Sequence, residues 1–292
     1  MAAPRSDRPA EAETLGLEPQ SAPTVEKRPA VPGGAVRLPV VSREHYAVAG
    51  EHARGGMGRI LRALDRRLGR VVAVKELRED AADGGPRFVR EALVTARLQH
   101  PSIVPIYEAG LWPEGAPFYA MKLVEGRSLE ALLRECPSLG ARLALLPHLI
   151  AVAEAIAYAH REGVVHRDLK PANVLVGPFG ETVVVDWGLA KDLRVAGADE
   201  AGDGGAAVVS SGATVVGSVM GTPQYMAPEQ ARGEPVDERA DVWALGAILY
   251  YLLAGSPPWT GRSAAETIAA AGAEPPPPIE TREPSAPRDL VA

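Results

Sequence analysis

One stretch constrains this chain more than any other: Val164-Val165-His166-Arg167-Asp168-Leu169-Lys170-Pro171-Ala172-Asn173-Val174-Leu175. Short apolar runs bracket a loop that carries a carboxylate, an ammonium group and an amide. Such a loop suits the movement of a phosphoryl group. Asp168 can receive a hydroxyl proton, Lys170 can neutralise the moving group, and the Asn173 amide oxygen can hold a metal ion. The reading gains weight only if further stretches with matching chemistry follow in order.

Most of the chain has the makings of a globular core, with 46% apolar and 23% charged residues. A net charge of -6 argues against a dedicated nucleic-acid binder. The single cysteine, Cys136, cannot form an internal disulfide and reads as a small core residue, which fits a reducing cytoplasm. No apolar leader is visible before residue 40. The longest uncharged apolar run, Val242–Gly255, falls short of the ~20 residues a membrane span needs and reads as a buried helix. Residues 1–45 are rich in proline and poor in large apolar side chains, so they are expected to form a disordered tail, with folding from 46 to 292.

Along the folded part, His45–Arg54 reads as a strand, Gly55-Gly56-Met57-Gly58 as a turn and Ile60–Ala63 as a second strand. Glycines there would let backbone N–H groups approach phosphates. Arg70–Leu77 is a strand whose alternation puts Ala73 and Lys75 on one face and Val72 and Val74 on the other. Phe88, Glu91, Thr95 and Leu98 recur at helical spacing within 88–99, so Glu91 points inward and needs a cation, with Lys75 the natural partner. Strands are expected over Ile103–Glu108 and Phe118–Val124. Helices are expected over Ser128–Arg134, capped by Ser128, and Gly140–Arg161, closed by Gly163. Val174–Val176 and Thr182–Val185 form a hairpin ending in Asp186-Trp187-Gly188. A carboxylate there, near an Asn amide, offers hard oxygen ligands for Mg²⁺. Lys191–Met220 is polar and glycine-rich. Gly221-Thr222-Pro223-Gln224-Tyr225-Met226-Ala227-Pro228-Glu229 and two helices, Asp241–Ala254 and Ser263–Ala271, follow.

Taken in order, these motifs resemble those of bacterial, eukaryotic-like serine/threonine protein kinases. The glycine turn is similar to G-x-G-x-x-G-x-V, with Ala53 at the first glycine and Ile60 for the valine. Lys75 matches V-A-I-K, 166–173 matches H-R-D-L-x-x-x-N, and Asp186-Trp187-Gly188 matches D-F-G with tryptophan for phenylalanine. Residues 221–229 match G-T-P-x-Y-x-A-P-E, and Asp241 begins a D-V-W-x-L-G helix.

The resemblance implies an α+β, two-lobed protein-kinase-like fold. A small antiparallel sheet with one helix (46–125) would face a larger, mainly helical and incomplete lobe (126–292), with ATP and Mg²⁺ between them. It implies that His52, Ala53, Arg54, Gly55, Gly56, Met57 and Gly58 cover the nucleotide. Ile60, Ala73 and Leu175 would wall the base, Met121 would close the inner end, and the backbone of Lys122–Val124 would meet adenine. Lys75, fixed by Glu91, would hold the phosphates. Asp168 would be the base, Lys170 would stabilise the moving group, and Asn173 and Asp186 would hold the metal. His166 is expected to pack rather than to exchange protons, and Asp241 to hold the loop backbone. Lys170 and Thr222 resemble the serine/threonine branch, so protein Ser/Thr hydroxyls are the implied substrates. A phosphotransferase acting on small metabolites is disfavoured by 221–229, whereas a nucleotide-binding scaffold without turnover stays open. Arg167 implies signalling control by a phosphorylated residue, Thr214 or Ser218 before Ser210 and Ser211, added between two copies of the chain. No residue matches the arginine that would pair with Glu229. That carboxylate is therefore expected to be buried without its partner, and the chain to be a fragment of a longer protein.

Overall fold

The computed structural model describes residues 37–55, 58–78, 84–193, 206–208, 214–216 and 221–291. Its folded body runs from Leu38 onward, earlier than the expected boundary at 45. Val41 is buried, and main-chain bonds from the Val41 N–H to Leu111 O and from the Leu111 N–H to Pro39 O, each 2.8 Å, help dock this segment on the sheet edge. The expected disorder before it lies outside the described residues.

The small lobe is one antiparallel sheet of five strands in the order β1-β2-β3-β5-β4. The strands are β1 (Tyr46–Arg54), β2 (Gly58–Asp65), β3 (Arg70–Leu77), β4 (Ile106–Leu111) and β5 (Pro117–Lys122). Helix α1 (Gly85–Arg97) lies between β3 and β4 in the chain. Strand alternation divides β3 as expected. Val72 and Val74 join Val41, Tyr46, Trp112 and Phe118 on one side, while Ala73 packs with Phe88, Tyr119 and Met121 on the other. The α1 stripe also holds, with Phe88, Glu91, Thr95 and Leu98 all buried. β4 begins later than expected. Ile103 instead bridges Val184 and the Val104 N–H donates to Val184 O, because Pro105 has no N–H to give a ladder.

The large lobe carries β6 (Arg127–Ser128), α2 (Leu129–Glu135), α3 (Leu139–Leu143), α4 (Leu146–Arg161), β7 (Val164–Val165), β8 (Val174–Val176), β9 (Thr182–Val184) and β10 (Lys191–Asp192). β11 (Ala206–Val208), β12 (Thr214–Val216), α5 (Pro228–Ala231), α6 (Arg239–Ala254), α7 (Ala264–Ala273) and α8 (Ile279–Arg282) follow. Ser128 caps α2 as expected, its Oγ accepting from the Ala131 N–H at 3.1 Å. The single helix expected over 140–161 is two. Pro147 sits in the first turn of α4, where its missing N–H costs nothing, and so starts a new helix. By length and composition alone, Leu139–Arg161 would be long and apolar enough to cross a membrane. Here Leu149, Val152, Ala155, Ile156 and Ala159 of α4 enter the lobe core beside Ala244, Ala247, Ile248 and Leu252 of α6.

Gly163 (φ 72°) and Gly255 (φ 77°) end α4 and α6 in the left-handed region that glycine tolerates. Buried Arg142 closes α6 further, donating to Leu252 O at 2.8 Å and Leu253 O at 2.9 Å. Two expectations need correction. Cys136 follows the end of α2 half-buried rather than in the core, and Glu229 is half-buried rather than sealed, with Arg232 and Arg239 near enough to feel its charge.

Candidate active site

A cleft of about 400 Å³ opens between the sheet and the 164–188 region. Ala53, Arg54, Gly55, Gly58 and Ile60 line its roof, and Lys75, Glu91, Met121, Asn173 and Asp186 its inner wall and floor. Ala73, Val124 and Leu175, expected at the base, pack in the apolar cluster around Met121 and are not among the residues that line the cleft. The Gly55 N–H donates to Gly58 O at 2.9 Å, closing the turn. Any side chain at 58 would put its Cβ 2.7 Å from Glu76 O, so glycine is required there. Gly56 and Met57 lie outside the described residues.

Two further expected contacts are not made. His52 is the extra residue of a bulge between Glu51 and Ala53 and stands exposed, away from the cleft lining. The Lys122 N–H is committed to Pro105 O at 3.1 Å. Since β5 ends at Lys122, main chain free of the ladder starts at Leu123 and Val124.

Lys75 Nζ pairs with Glu91 Oε1 at 2.6 Å and stands 3.9 Å from Asp186 Oδ1. Desolvation opposes the Lys75 charge, but the Glu91 and Asp186 carboxylates outweigh it and raise its pKa above the usual lysine value. Desolvation likewise opposes charge on Asp186. The Lys75 ammonium foremost, with Lys170 adding to it, outweighs it and holds this carboxyl below its ordinary value. The Asp186 side chain keeps 51% of its surface open, so it is ringed by charge yet reachable. Its φ of 64° is unusual for a residue with a side chain and aims the carboxylate after β9.

The 166–173 loop is held from beneath. Asp241, 1% exposed, accepts from the His166 N–H at 2.8 Å and the Arg167 N–H at 2.9 Å, and contacts His160 Nε2 at 2.8 Å. Gln230 Nε2 donates to Arg167 O at 2.6 Å, and Arg167 adopts φ 69°. His166 is fully buried against Trp187, its ring 4.6 Å from the indole. The Asp168 N–H donates to its Nδ1 at 3.3 Å, which leaves Nε2–H to face Val185 O at 3.4 Å. The imidazole is thus structural, as expected.

Asp168 Oδ2 accepts from Lys170 Nζ at 2.7 Å, and Oδ1 from the Thr222 N–H at 2.9 Å and hydroxyl at 3.1 Å. Lys170 Nζ also donates to Thr222 Oγ1 at 2.7 Å. Asn173 Nδ2 donates to Asp168 O at 3.0 Å, leaving its amide oxygen to offer a cation. Among the described residues no group of three or more His, Cys, Asp or Glu side chains could hold a metal. One carboxylate and one amide would suit Mg²⁺, a hard cation that proteins hold through few side-chain oxygens.

Sequence reasoning missed Thr95, Val104, Ile106, Tyr119, Ala172, Val185 and Trp187 as cleft-lining residues. All but Thr95 and Tyr119 are apolar, and such residues in strands and turns carry no signal beyond core packing. Of the missed residues, Tyr119 touches the charges, donating to Glu91 Oε1 at 2.7 Å.

The two lobes, the charged cleft and the braced loop together define the protein-kinase-like class of phosphotransferase. Residues 46–282 match the model of the protein kinase domain, and the chain belongs to the protein kinase family. It is 37% identical over 232 residues to the serine/threonine-protein kinase PknD of Protochlamydia amoebophila, covering 74% of this chain and 23% of that protein. A probable serine/threonine-protein kinase of Streptomyces coelicolor is 41% identical over 219 residues, covering 72% of this chain and 30% of that one. A probable PknB of Bifidobacterium longum is 39% identical over 222 residues, with the same coverage. The chain therefore spans between about a quarter and a third of the length of these relatives.

Proposed function

We propose that this chain transfers the γ-phosphoryl group of ATP to Ser and Thr hydroxyls of proteins, in signalling. The Asp168–Lys170–Thr222 arrangement carries the reading: a carboxylate held at the mouth of the loop by a lysine and a threonine at 2.7 to 3.1 Å. Asp168 accepts the proton of the incoming hydroxyl. Lys170, already beside it, offsets charge on the group in transit. Lys75, oriented by Glu91, binds the α- and β-phosphates, and the Gly55–Gly58 turn covers them. Mg²⁺ held by Asn173 and Asp186 would neutralise phosphate charge. Positioning and electrostatics supply most of the catalysis, since the protein forms no bond to the moving group.

Control by autophosphorylation belongs to the same proposal, with Thr214 or Ser218 as acceptor and Arg167 as the receiving cation. Ser218 and the side chain of Thr214 lie outside the described residues. Transfer between two copies of the chain in a reducing cytoplasm would accomplish it. Incorporation of labelled phosphate from ATP into a Ser/Thr-containing protein is expected from this chain and not from Asp168→Asn. Equal incorporation by both would exclude the reading. Mass spectrometry of active protein should find phosphate within 191–220, and an active chain bare there would remove the autophosphorylation step.

A further inference from the structure

Among the described residues, only one of the two Glu91 oxygens has hydrogen-bond partners. Oε1 accepts from Lys75 Nζ at 2.6 Å and from the Tyr119 hydroxyl at 2.7 Å, whereas Oε2 is buried with none. Tyr119 is 3% exposed on β5, next to β3 in the sheet and directly opposite Lys75 in register. Its ring lies 5.2 Å from Phe88, one turn before Glu91 on α1. The Lys75 ammonium stands 5.5 Å from the Tyr119 ring centre and 6.0 Å from that of Phe88. One side chain therefore touches the phosphate-binding lysine, its carboxylate and the helix that carries the carboxylate.

We propose that Tyr119 is a positioning residue for catalysis, whose hydroxyl fixes the Glu91 carboxylate so that Lys75 is aimed into the cleft before nucleotide arrives. A carboxylate held by one ammonium can turn about its last torsion. A second donor on the same oxygen, coming from the sheet, removes that freedom. Burial, reinforced by the Glu91 charge, holds the Tyr119 hydroxyl protonated far above neutral pH, so it remains a donor across the working range. The consequence falls on the transition state. Without the hydroxyl, Lys75 stays charged and close, so its attraction for bound ATP persists, but its aim is lost.

The inference rests on the kinase reading, and the experiment separates the two. The chain is first assayed for phosphate transfer against Asp168→Asn; absence of transfer by the unaltered chain defeats the kinase reading itself. Given transfer, Tyr119→Phe keeps the ring and removes the donor. Kinetics are read where circular dichroism shows the variant folded. Tyr119→Met, which fills the space without a donor, is the substitute if the second phenyl ring disturbs packing. A fall in kcat of about tenfold is expected, with KM for ATP changed by less than about threefold. In a Glu91→Gln background the same substitution should cost less than about twofold, because its target is already gone. A kcat within twofold of the unaltered chain, or losses that multiply in the double variant, would overturn the proposal.

Discussion

Asp241 offers the sharpest test of how the catalytic loop is held. Its carboxylate is 1% exposed and receives two main-chain N–H groups, with His160 on the same oxygen as the His166 N–H. Asp241→Asn keeps the size and removes one acceptor. Whichever way the amide turns, an NH₂ faces a backbone N–H. With its oxygen toward His166 and His160, the amide confronts the Arg167 N–H. The change loses one hydrogen bond to a charged group, about 1.5–3 kcal/mol, and strands a buried donor, about 1–3 kcal/mol more. A loss of roughly 2.5–6 kcal/mol follows, against a typical domain stability of about 5–15 kcal/mol. The damage is directed as well as large. Arg167 sits at φ 69°, a conformation that disfavours a residue with a side chain, and its N–H bond to Asp241 helps hold it there. Released, it turns the peptide leading into Asp168. Urea denaturation should show a lower midpoint with an unchanged slope, and phosphate transfer by the folded fraction should fall at least tenfold. An Asp241→Asn chain with both midpoint and rate near those of the unaltered chain would refute this account of the loop.

Three further outcomes are expected. Gly58→Ala forces a Cβ to within 2.7 Å of Glu76 O in a paired strand that cannot retreat, so KM for ATP should rise about tenfold, equivalent to ~1.4 kcal/mol; an unchanged KM would mean the turn does not cover the nucleotide. Glu76 is buried between Arg43 at 2.9 Å and Arg59 at 2.9 Å, both half-exposed, so Glu76→Gln should cost only about 1–2 kcal/mol in urea denaturation. Lys75→Met should be destabilised by about 3–5 kcal/mol, since Glu91 keeps its buried charge without the ammonium. Because the folded-state Lys75 value is raised, the advantage of the unaltered chain should be full below about pH 10.4 and fade as pH rises through the raised value. Denaturation midpoints across pH check this, and a difference that disappears near neutrality would contradict it.

Where side-chain chemistry repeats with the period of the backbone, the fold was legible. β3 and α1 are the clear cases: alternation put Lys75 inward, and helical spacing put Glu91 on the buried stripe facing it. The 166–173 loop was legible for a different reason, since Asp, Lys and Asn at that spacing have few other joint uses. What stayed hidden depends on partners distant in the chain or on backbone irregularity. No local pattern marks His52 as a bulge, and Pro147 fits the start of a helix as readily as a position inside an amphipathic run. Ile103 looks like the first residue of a strand until β9 supplies its partner. Tyr119 in an apolar strand reads as core, and only Glu91 28 residues away gives its hydroxyl a purpose.

The centre of the small lobe shows why such distant partners matter. β3 is the middle strand of its sheet, yet Lys75 and Glu76 put ionised groups on its two faces in succession. A central strand can carry both only if each face supplies a counter-charge. Toward the cleft that group is Glu91 of α1. On the far face it is Arg59, next to the glycine turn, and Arg43, which comes from the segment before residue 46 and also lies over the Trp112 ring at 4.5 Å. The same segment seats Val41 against Gly110, where any side chain at 110 would press within 2.8 Å of the Val41 methyl. Glu76 thus joins the roof of the cleft, through Arg59, to residues 41–43, which lie outside the 46–282 family match. The sheet's charge balance is complete only when that segment is counted, so the physical edge of this lobe lies before the edge that family likeness marks.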